Sequence, residues 1–252
     1  MRALPKLSLT DDTLSFIVSR DRQILSKAYL RKIYEEWSEI ILRNIVLPGV
    51  TVELGAANPV TRRILAQVNA IGLDILPNPT LDVRADATQM PFVSDSIANL
   101  VATDTFHHLP DAEPFLAEVS RVLIGGGRLI LIEPWSNRLA DFIYRRFHPE
   151  PFDKGAGWIT FGAGPMTRAN GALPWIVFER DQQLLAERYP ALTVTTLRQL
   201  MPISYLVSGG ARSRIGMPGV FYNTVRKVER IFERRGMGLS ALIVVKKNDE
   251  DK

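Results

Sequence analysis

Apolar residues recur at helical spacing in the first part of the chain and then gather into short runs between turn residues. Five of them follow one another at steps of three or four residues, as in an amphipathic helix. They are Leu30, Ile33, Trp37, Ile41 and Ile45. Thr10-Asp11-Asp12 resembles a helix N-cap, and Pro48-Gly49 stops the pattern. The spacing predicts an all-helical N-terminal extension over residues 1–47.

Seven short apolar runs follow, each bounded by residues that favour turns. The predicted strands cover residues 50–54, 69–73, 81–85, 98–103, 128–132, 192–200 and 239–245. Helical spacing occurs between them at residues 60–67, 112–123 and 175–188, and again where Phe221, Val225, Val228 and Phe232 form one apolar stripe. Alternating strands and helices are typical of an α/β fold, a parallel sheet with helices on both faces.

The stretch after the fifth predicted strand is long and aromatic. It contains seven aromatic rings, those of Trp135, Phe142, Tyr144, Phe147, Phe152, Trp158 and Phe161, together with Arg138, Arg145 and Arg146. Because a long loop in a compact domain is usually a binding element, we predict a lid-like insertion over residues 135–173. It would separate an α/β core at 48–134 from the rest of the same domain at 174–252. Alternatively, the rings form a small permanent core. In that case we expect the acceptor site between the N-terminal helix that carries Tyr34 and Trp37 and the turn at Gly55.

Composition excludes several classes of function. None of the 252 residues is cysteine, which excludes disulfides, thiolate nucleophiles and iron–sulfur clusters. No apolar run reaches the roughly 18 residues of a transmembrane segment, and no secretory segment follows Met1, so we expect a cytoplasmic protein.

The net charge of +4 is concentrated near the C-terminus. Residues 211–235 carry seven Lys or Arg against two Glu, a segment charge of +5. We interpret the row Arg226, Arg230 and Arg234 as a solvated helix face opposite the apolar stripe. No RNA-binding module is evident, so a nucleic-acid partner is not expected.

Acidic residues end two successive predicted strands. Glu53-Leu54-Gly55 ends the first, and Asp74, nineteen residues after Gly55, ends the second. At the carboxyl ends of parallel strands such an acid can accept hydrogen bonds from ribose hydroxyls, and a turn glycine lets a ligand approach the backbone. The pattern predicts a nucleoside-bearing ligand, although a structural turn glycine and a solvated acid would give it too. A nicotinamide fingerprint fails, because Ala57 and Val60 replace its later glycines.

Further motifs follow in a fixed order. They are Ala85-Asp86-Ala87 with Met90-Pro91-Phe92, then Asp104 to Asp111 with its His107-His108 pair, and then Arg121-Val122-Leu123 with Gly125-Gly126-Gly127. Together with Glu53-Leu54-Gly55 they resemble the class I S-adenosylmethionine-dependent methyltransferases, in the type 11 branch, over about residues 50–134. The resemblance implies a Rossmann-like, mostly parallel seven-stranded sheet. It also implies S-adenosylmethionine as cofactor, S-adenosylhomocysteine as product, and no metal.

The resemblance also assigns contacts to the cofactor. It implies Glu53, Gly55 and Ala57 at the methionine end, Asp74 on the ribose, Ile75 on the adenine face, Asp86 and Ala87 at the adenine edge, and Thr103 and Asp104 beside the sulfonium. Two features depart from the family. Ala57 and Pro59 stand where the family has glycines, and only a short crossing, Ile75 to Pro79, separates Asp74 from Asp86.

Three histidines, His107, His108 and His148, are the candidate proton acceptors. His108 occupies the histidine place of the family motif and is the predicted catalytic residue; alternatively, the pair His107-His108 caps the helix that starts at Leu109 to Asp111. His148 would meet the acceptor or be exposed. We predict a methyltransferase that acts on a small-molecule, lipid-linked or sugar-linked acceptor. The acceptor would be apolar and carry an anionic group. The sequence does not define the oligomeric state. The alternative is a catalytically silent methyltransferase-like scaffold or binding protein.

Overall fold

The computed structural model describes residues 11–76, 81–148, 150–160, 169–210 and 216–249, with the backbone alone for 11–18. The helices are α1 (Asp11–Ser26), α2 (Ala28–Asn44), α3 (Pro59–Leu65), α4 (Ala112–Val122), α5 (Arg138–Phe147), α6 (Leu173–Trp175), α7 (Gln182–Arg188), α8 (Ser204–Val207) and α9 (Tyr222–Glu233). The strands are β1 (Thr51–Leu54), β2 (Ile71–Asp74), β3 (Val83–Arg84), β4 (Ile97–Thr103), β5 (Leu123–Pro134), β6 (Leu192–Leu200) and β7 (Ser240–Lys247). Short 3₁₀ turns occupy Ala66–Val68, Phe106–His108 and Gly219–Phe221, and a π-helical turn, Ile176–Arg180, follows α6.

All seven strands form one sheet, in the order β3-β2-β1-β4-β5-β7-β6. The first five are parallel, and β7 runs antiparallel to both β5 and β6. This confirms the predicted Rossmann-like, mostly parallel seven-stranded sheet. Strand β3 is shorter than predicted and β5 is longer, because the pairing with β4 starts at Leu123 and shifts register before Arg128.

The parallel register places the residues that follow β1, β2 and β4 at one edge of the sheet. Leu54 at the end of β1 pairs with Leu73 and Ala102, and Thr103 at the end of β4 pairs with Ile132. The residues that follow these positions therefore emerge side by side at the carboxyl edge, which we call the C-edge. In open α/β sheets this is where ligands bind.

Two apolar cores lie on opposite faces of the sheet, since side chains alternate along each strand. Leu100 and Ala102 of β4 pack in one core with α4 and the residues around Phe178. Val101, between them, faces the other core, which contains the predicted stripe of α2 from Leu30 to Ile41. Helix α2 thus covers one face of the sheet with its predicted apolar stripe. Of the helices that the model describes, none has the length and apolar character needed to cross a bilayer.

Helix α9 is rotated about its axis relative to the prediction, by about 100°. Its buried residues are Tyr222, Arg226 and Glu229, whereas Val228 of the predicted apolar stripe is half exposed. Arg226 donates to Glu36 of α2 (2.9 Å) and to Glu229 (2.5 Å). The expectation that Arg226 belongs to a solvated row is therefore wrong, because carboxylates on two helices pair with it inside the protein. Arg230 and Arg234 are exposed, as predicted.

The predicted insertion is partly helical and partly core. Helix α5 occupies its first third, and four of its rings are buried in the main core, those of Trp135, Tyr144, Phe152 and Trp158. Phe142 and Phe147 are exposed, and Phe161 lies outside the described residues. Four of the rings are thus permanent core, as in the alternative interpretation, and closure of the segment over a ligand stays a prediction. Of the predicted crossing after Asp74, the model describes Ile75 and Leu76, and residues 77–80 lie outside the described ranges.

Candidate functional site

The turn after β1 is built around Gly55. Its backbone is left-handed (φ +66°), and a Cβ there would overlap the side chain of Thr105. The N–H of Ala57 donates to the carbonyl of Gly55 (2.7 Å). Ala57 is not one of the described non-glycine residues whose φ is positive. The alanine in place of a family glycine therefore fits the turn without backbone strain. Asn58 then caps α3, whose first residue is Pro59, a position where proline is tolerated.

Gly55→Ala is expected to lower the free energy of unfolding by about 1–2 kcal/mol, because the new methyl meets Thr105 and the left-handed backbone disfavours any Cβ. Urea unfolding of the two proteins measures the difference. Gly157→Ala is the matched control, since a Cβ at Gly157 would meet nothing within 4 Å. Equal stabilities of the two variants would contradict the packing described for this turn.

Glu53 is a buried acid with an incomplete set of partners. Its Oε2 lies 3.7 Å from a guanidinium nitrogen of Arg62 and accepts no hydrogen bond. Arg62 is shared with Asp82 and with the carbonyl of Ala70 (2.6 Å). Burial raises the pKa of Glu53 to about 8, against the opposing effect of Arg62. A ligand with a cationic or hydrogen-bond-donating group would complete this site.

Asp74 and Asp86 lie next to each other at the C-edge. Asp74 is buried, and its Oδ1 accepts a hydrogen bond from the N–H of Leu76 (2.9 Å). Burial raises the pKa of Asp74. The N–H of Ala85 donates to the carbonyl of Asp74 (3.0 Å), which places Asp86 just beyond it. Asp86 is half-buried and accepts from the N–H and hydroxyl of Thr88 (both 2.8 Å).

Ile75 and Ala87 accompany these two acids. Both residues are half-buried, and each directly follows its acid in the chain. The model thus brings together the four residues that the motifs assign to the nucleoside end of a ligand.

The end of β4 contributes Thr103 and Asp104. Thr103 Oγ1 is buried without a hydrogen-bond partner. Asp104 adopts the left-handed backbone (φ 49°), and its Oδ2 accepts from the hydroxyl of Tyr34 of α2 (3.4 Å). Burial, reinforced by the nearby carboxylate of Glu133, raises the pKa of Asp104 to about 7. An acid with this pKa changes charge at neutral pH, which is unusual for aspartate.

His107 is held between two carboxylates. Its Nδ1 lies 2.7 Å from Glu133 Oε2, and its Nε2 lies 3.4 Å from Glu150 Oε2. Glu133 also accepts from the backbone N–H groups of Thr105 (2.8 Å) and Phe106 (2.7 Å). Although burial disfavours the charged ring, the two carboxylates raise the pKa of His107 to about 10, and His107 in turn lowers that of Glu150 to about 2. The ring is therefore a cation at neutral pH and cannot accept a further proton.

His108 lies beside this cluster. Its ring centroid is 4.1 Å from that of His107, and its side chain is half-buried. The expectation that the histidine pair caps the following helix is wrong, because Asp111 caps α4 by accepting from Glu113 N–H (2.9 Å). His148 is half-buried, and its Nδ1 accepts from the N–H of Glu150 (3.3 Å), so it is not simply exposed.

Ligand atoms of His107, His108 and Glu150 lie within 4.8 Å of one another, close enough to share a metal ion. The two ring nitrogens of His107, however, face Glu133 and Glu150, so its charged ring already bridges both acids. Entry of an ion would have to displace that bridge.

Glu133, Glu150 and Arg20 of the site escaped the sequence analysis, whereas Tyr34 belongs to the alternative acceptor site that the sequence suggested. Glu133 could have been found from the sequence, since it is a charged residue at the carboxyl end of the apolar run of β5. Glu150 could not have been found from a sequence pattern, because it lies in an irregular segment. Arg20 of α1 donates to the carbonyl of Ala57 (2.7 Å), and Tyr34 reaches Asp104, so the helical extension helps to build the site.

Arg145 and Arg146 of the predicted acceptor-binding segment lie elsewhere. With Phe142 and Lys154 they line a shallow cleft of about 450 Å³ along the outer side of α5.

Comparison with known proteins agrees with this geometry. Residues 56–131 match a family model described as a methyltransferase domain. No curated protein matches the chain in sequence. Among solved structures, a chain of the complex between the Haloferax volcanii Trm112 methyltransferase activator and a methyltransferase is 15% identical, with a TM-score of 0.55 over 96% of this chain and 100% of that chain.

Two further structures share the fold. Geranyl diphosphate C-methyltransferase from Streptomyces coelicolor A3(2), solved with Mg²⁺, geranyl diphosphate and S-adenosylhomocysteine, is 10% identical, with a TM-score of 0.53 over 98% of this chain and 86% of that chain. The YcgJ protein of Bacillus subtilis is 15% identical, with a TM-score of 0.51 over 86% and 100%. The resemblance seen in the motifs is thus confirmed: residues 56–131 match the model of a methyltransferase domain, and the chain shares its fold with class I S-adenosylmethionine-dependent methyltransferases.

Proposed function

We propose that this protein transfers a methyl group from S-adenosylmethionine to a small-molecule acceptor. The observation that carries the proposal is the set of three acids at the C-edge, Glu53, Asp74 and Asp104, whose pKa values are all raised, chiefly by burial. A buried carboxylate is costly unless a cation or a donor faces it. S-adenosylmethionine carries an ammonium group, ribose hydroxyls and a sulfonium, which are groups of these kinds.

The chemistry of the donor set fits the cofactor residue by residue. Glu53, whose Oε2 lacks a hydrogen bond, would hold the ammonium group, next to the turn of Gly55 and Ala57. Asp74 would accept from the ribose, with Ile75, Asp86 and Ala87 around the adenine. When bound, S-adenosylmethionine supplies an electrophilic methyl group. Thr103 and Asp104 would border the sulfonium that carries it.

The protein's own contribution is positioning, electrostatics and removal of a proton. In-line transfer needs the acceptor atom held close and water excluded, so the Glu133–His107–Glu150 bridge would fix the wall of the site. Asp104, with its pKa of about 7, and His108 would be the groups that take a proton from the acceptor. His107 would not, because it is already protonated.

The acceptor that suits this site is apolar. Rings of Tyr34, Trp37 and Tyr205 are in contact near Asp104, with centroids 5.4 Å apart for Tyr34 and Trp37 and 5.9 Å apart for the stacked Trp37 and Tyr205. The insertion supplies Glu150 to the same site, which supports its role in covering the acceptor. The geranyl diphosphate C-methyltransferase that shares the fold is named for an acceptor with an apolar chain and an anionic group.

Calorimetric titration with S-adenosylmethionine and S-adenosylhomocysteine tests the proposal without the acceptor. Glu53 and Asp74 would contact groups common to both ligands, whereas Asp104 would face the charge that only S-adenosylmethionine carries. As Asp104 ionises through a pKa of about 7, the preference for S-adenosylmethionine should rise by about tenfold between roughly pH 6 and pH 8.5. In Asp104→Asn that preference should not vary with pH.

Failure to bind either ligand would overturn the proposal and favour a methyltransferase-like scaffold. Binding of both ligands with a preference that does not change with pH would retain the cofactor and remove Asp104 from the sulfonium.

A further inference from the structure

The orientation of α9 is fixed by its buried polar face. Arg226 contacts Glu36, Glu229 and Glu233, and Tyr222 donates to Glu36 (2.7 Å). Glu229 also accepts from the N–H of Ser204 (2.7 Å) at the start of α8. Rotation of the helix to bury its apolar residues would place these charges in solvent and break the network. The outward position of Phe221, Val228 and Ile231 is therefore a property of the fold.

An apolar ridge consequently faces outward along α9. Phe221, Val228 and Ile231 are spaced by seven and three residues, so they share one side of the helix, and they are 52%, 49% and 52% exposed. Val220, just before the helix, is 81% exposed. No described residue covers this ridge. A contiguous row of large apolar side chains in solvent marks an interaction surface.

Positive charges border the ridge. Lys227, Arg230, Arg234 and Arg235 are exposed, and the acids of the same helix are not: Glu229 is buried, and Glu233 is paired with Arg226. By helical geometry Lys227 and Arg234 lie about 100–120° around the axis from Val228. Apolar and cationic strips thus run side by side on the outer surface, an arrangement typical of helices that lie at a membrane interface.

An apolar groove lies beside this surface. It has a volume of about 720 Å³ and lies between α8 and α9, lined by Leu206, Val207, Met217, Pro218, Phe221 and Val225. Tyr205, the residue before Leu206, stacks on Trp37, which contacts Tyr34, whose hydroxyl reaches Asp104. The groove is therefore connected to the site through a relay of side-chain contacts.

Helix α5 carries a similar combination, but its buried residues pack in the core on the other face of the sheet. Phe142 and Phe147 are exposed, and their rings contact each other beside Arg145 and Arg146. The N-cap of α5, Asn137, donates to the carbonyl of Gly238 (2.6 Å), three residues after Arg235.

We propose that the outer face of α9, formed by Val220, Phe221, Val228 and Ile231 with the four flanking cations, docks on an anionic phospholipid bilayer. Charge complementarity favours an anionic bilayer over a second copy of the chain. Two-fold pairing of this face with itself would place the four cations of one copy against the four cations of the other. The proposal goes beyond methyl transfer, and it is tested without cofactor or acceptor.

Co-sedimentation of the full chain with vesicles tests the docking. Vesicles of phosphatidylcholine with about 30% phosphatidylglycerol should bind the protein, and vesicles of phosphatidylcholine alone should bind it much more weakly. The double variant Val228→Glu/Ile231→Glu should reduce binding by about tenfold or more, because it places two anions on the apolar strip. Raising the salt concentration should also weaken binding.

Val93→Glu is the matched control. Val93 is 74% exposed but precedes β4, at the opposite edge of the sheet, so its variant should bind like the wild type. Circular dichroism and urea unfolding should show that both variants fold as the wild type does. Absence of binding to anionic vesicles, or equal binding by all three proteins, would overturn the proposal. So would a dimer in sedimentation equilibrium that only Val228→Glu/Ile231→Glu dissociates, since the face would then join two copies.

Discussion

Arg226→Ala is expected to lower the free energy of unfolding by about 3–5 kcal/mol, the range for breaking a buried ion pair by removing one partner. The guanidinium is 6% exposed and contacts Glu36, Glu229 and Glu233, of which Glu229 is fully buried. Without Arg226, Glu229 loses its cation while it still accepts from the N–H groups that begin α8. Urea unfolding monitored by circular dichroism measures the change.

Arg230→Ala provides the control for this variant, since it removes the same side chain one turn along α9 from an exposed position. Its effect should stay within about 0.5 kcal/mol. A loss of similar size in both variants would show that helix propensity, rather than the ion network, accounts for the effect.

The same network explains why the sequence pattern of α9 was misinterpreted. The residues Phe221, Val225, Val228 and Phe232 have helical spacing, and such a stripe normally faces the core. Periodicity identifies the sides of a helix, but the side that faces inward depends on what the rest of the chain offers. Here Glu36 lies 190 positions before Arg226, and no local pattern reports that pairing.

The strands and the edge that holds the site were predictable from the sequence. Buried parallel strands consist of short apolar runs, and the acids that end β1, β2 and β4 had to emerge together once the strands were known to be parallel. Ala57 could not be judged in this way, because tolerance of its methyl depends on a backbone angle. The contributions of Arg20 and Glu150 depend on contacts between elements far apart in the chain, which spacing does not encode.

Glu53→Gln is expected to make the fold more stable and cofactor binding weaker, and the two effects have one cause. Because burial raises the pKa of Glu53 from 4.5 to about 8, its neutral form is favoured in the folded protein. The stability that this gives is fully present below about pH 4.5 and is lost as the pH rises through about 8. Glutamine is neutral throughout, so the variant should gain on the wild type across this window, by about 5 kcal/mol near pH 9.

Urea unfolding at a series of pH values measures this gain, with Glu118→Gln as a control of opposite sign. The hydrogen bond from Arg121 lowers the pKa of Glu118, so its stabilisation is present above the unfolded pKa and lost as the pH falls through the folded one. Glutamine at position 118 should therefore lower the free energy of unfolding by about 1 kcal/mol at pH 9.

Affinity for S-adenosylmethionine should fall by about tenfold or more in Glu53→Gln, because a charge-assisted bond to the ammonium group becomes a neutral one. It should remain unchanged in Glu118→Gln. A Glu53→Gln protein that binds as the wild type does would remove Glu53 from the cofactor, and a stability gain that does not grow with pH would mean that its carboxyl group ionises normally.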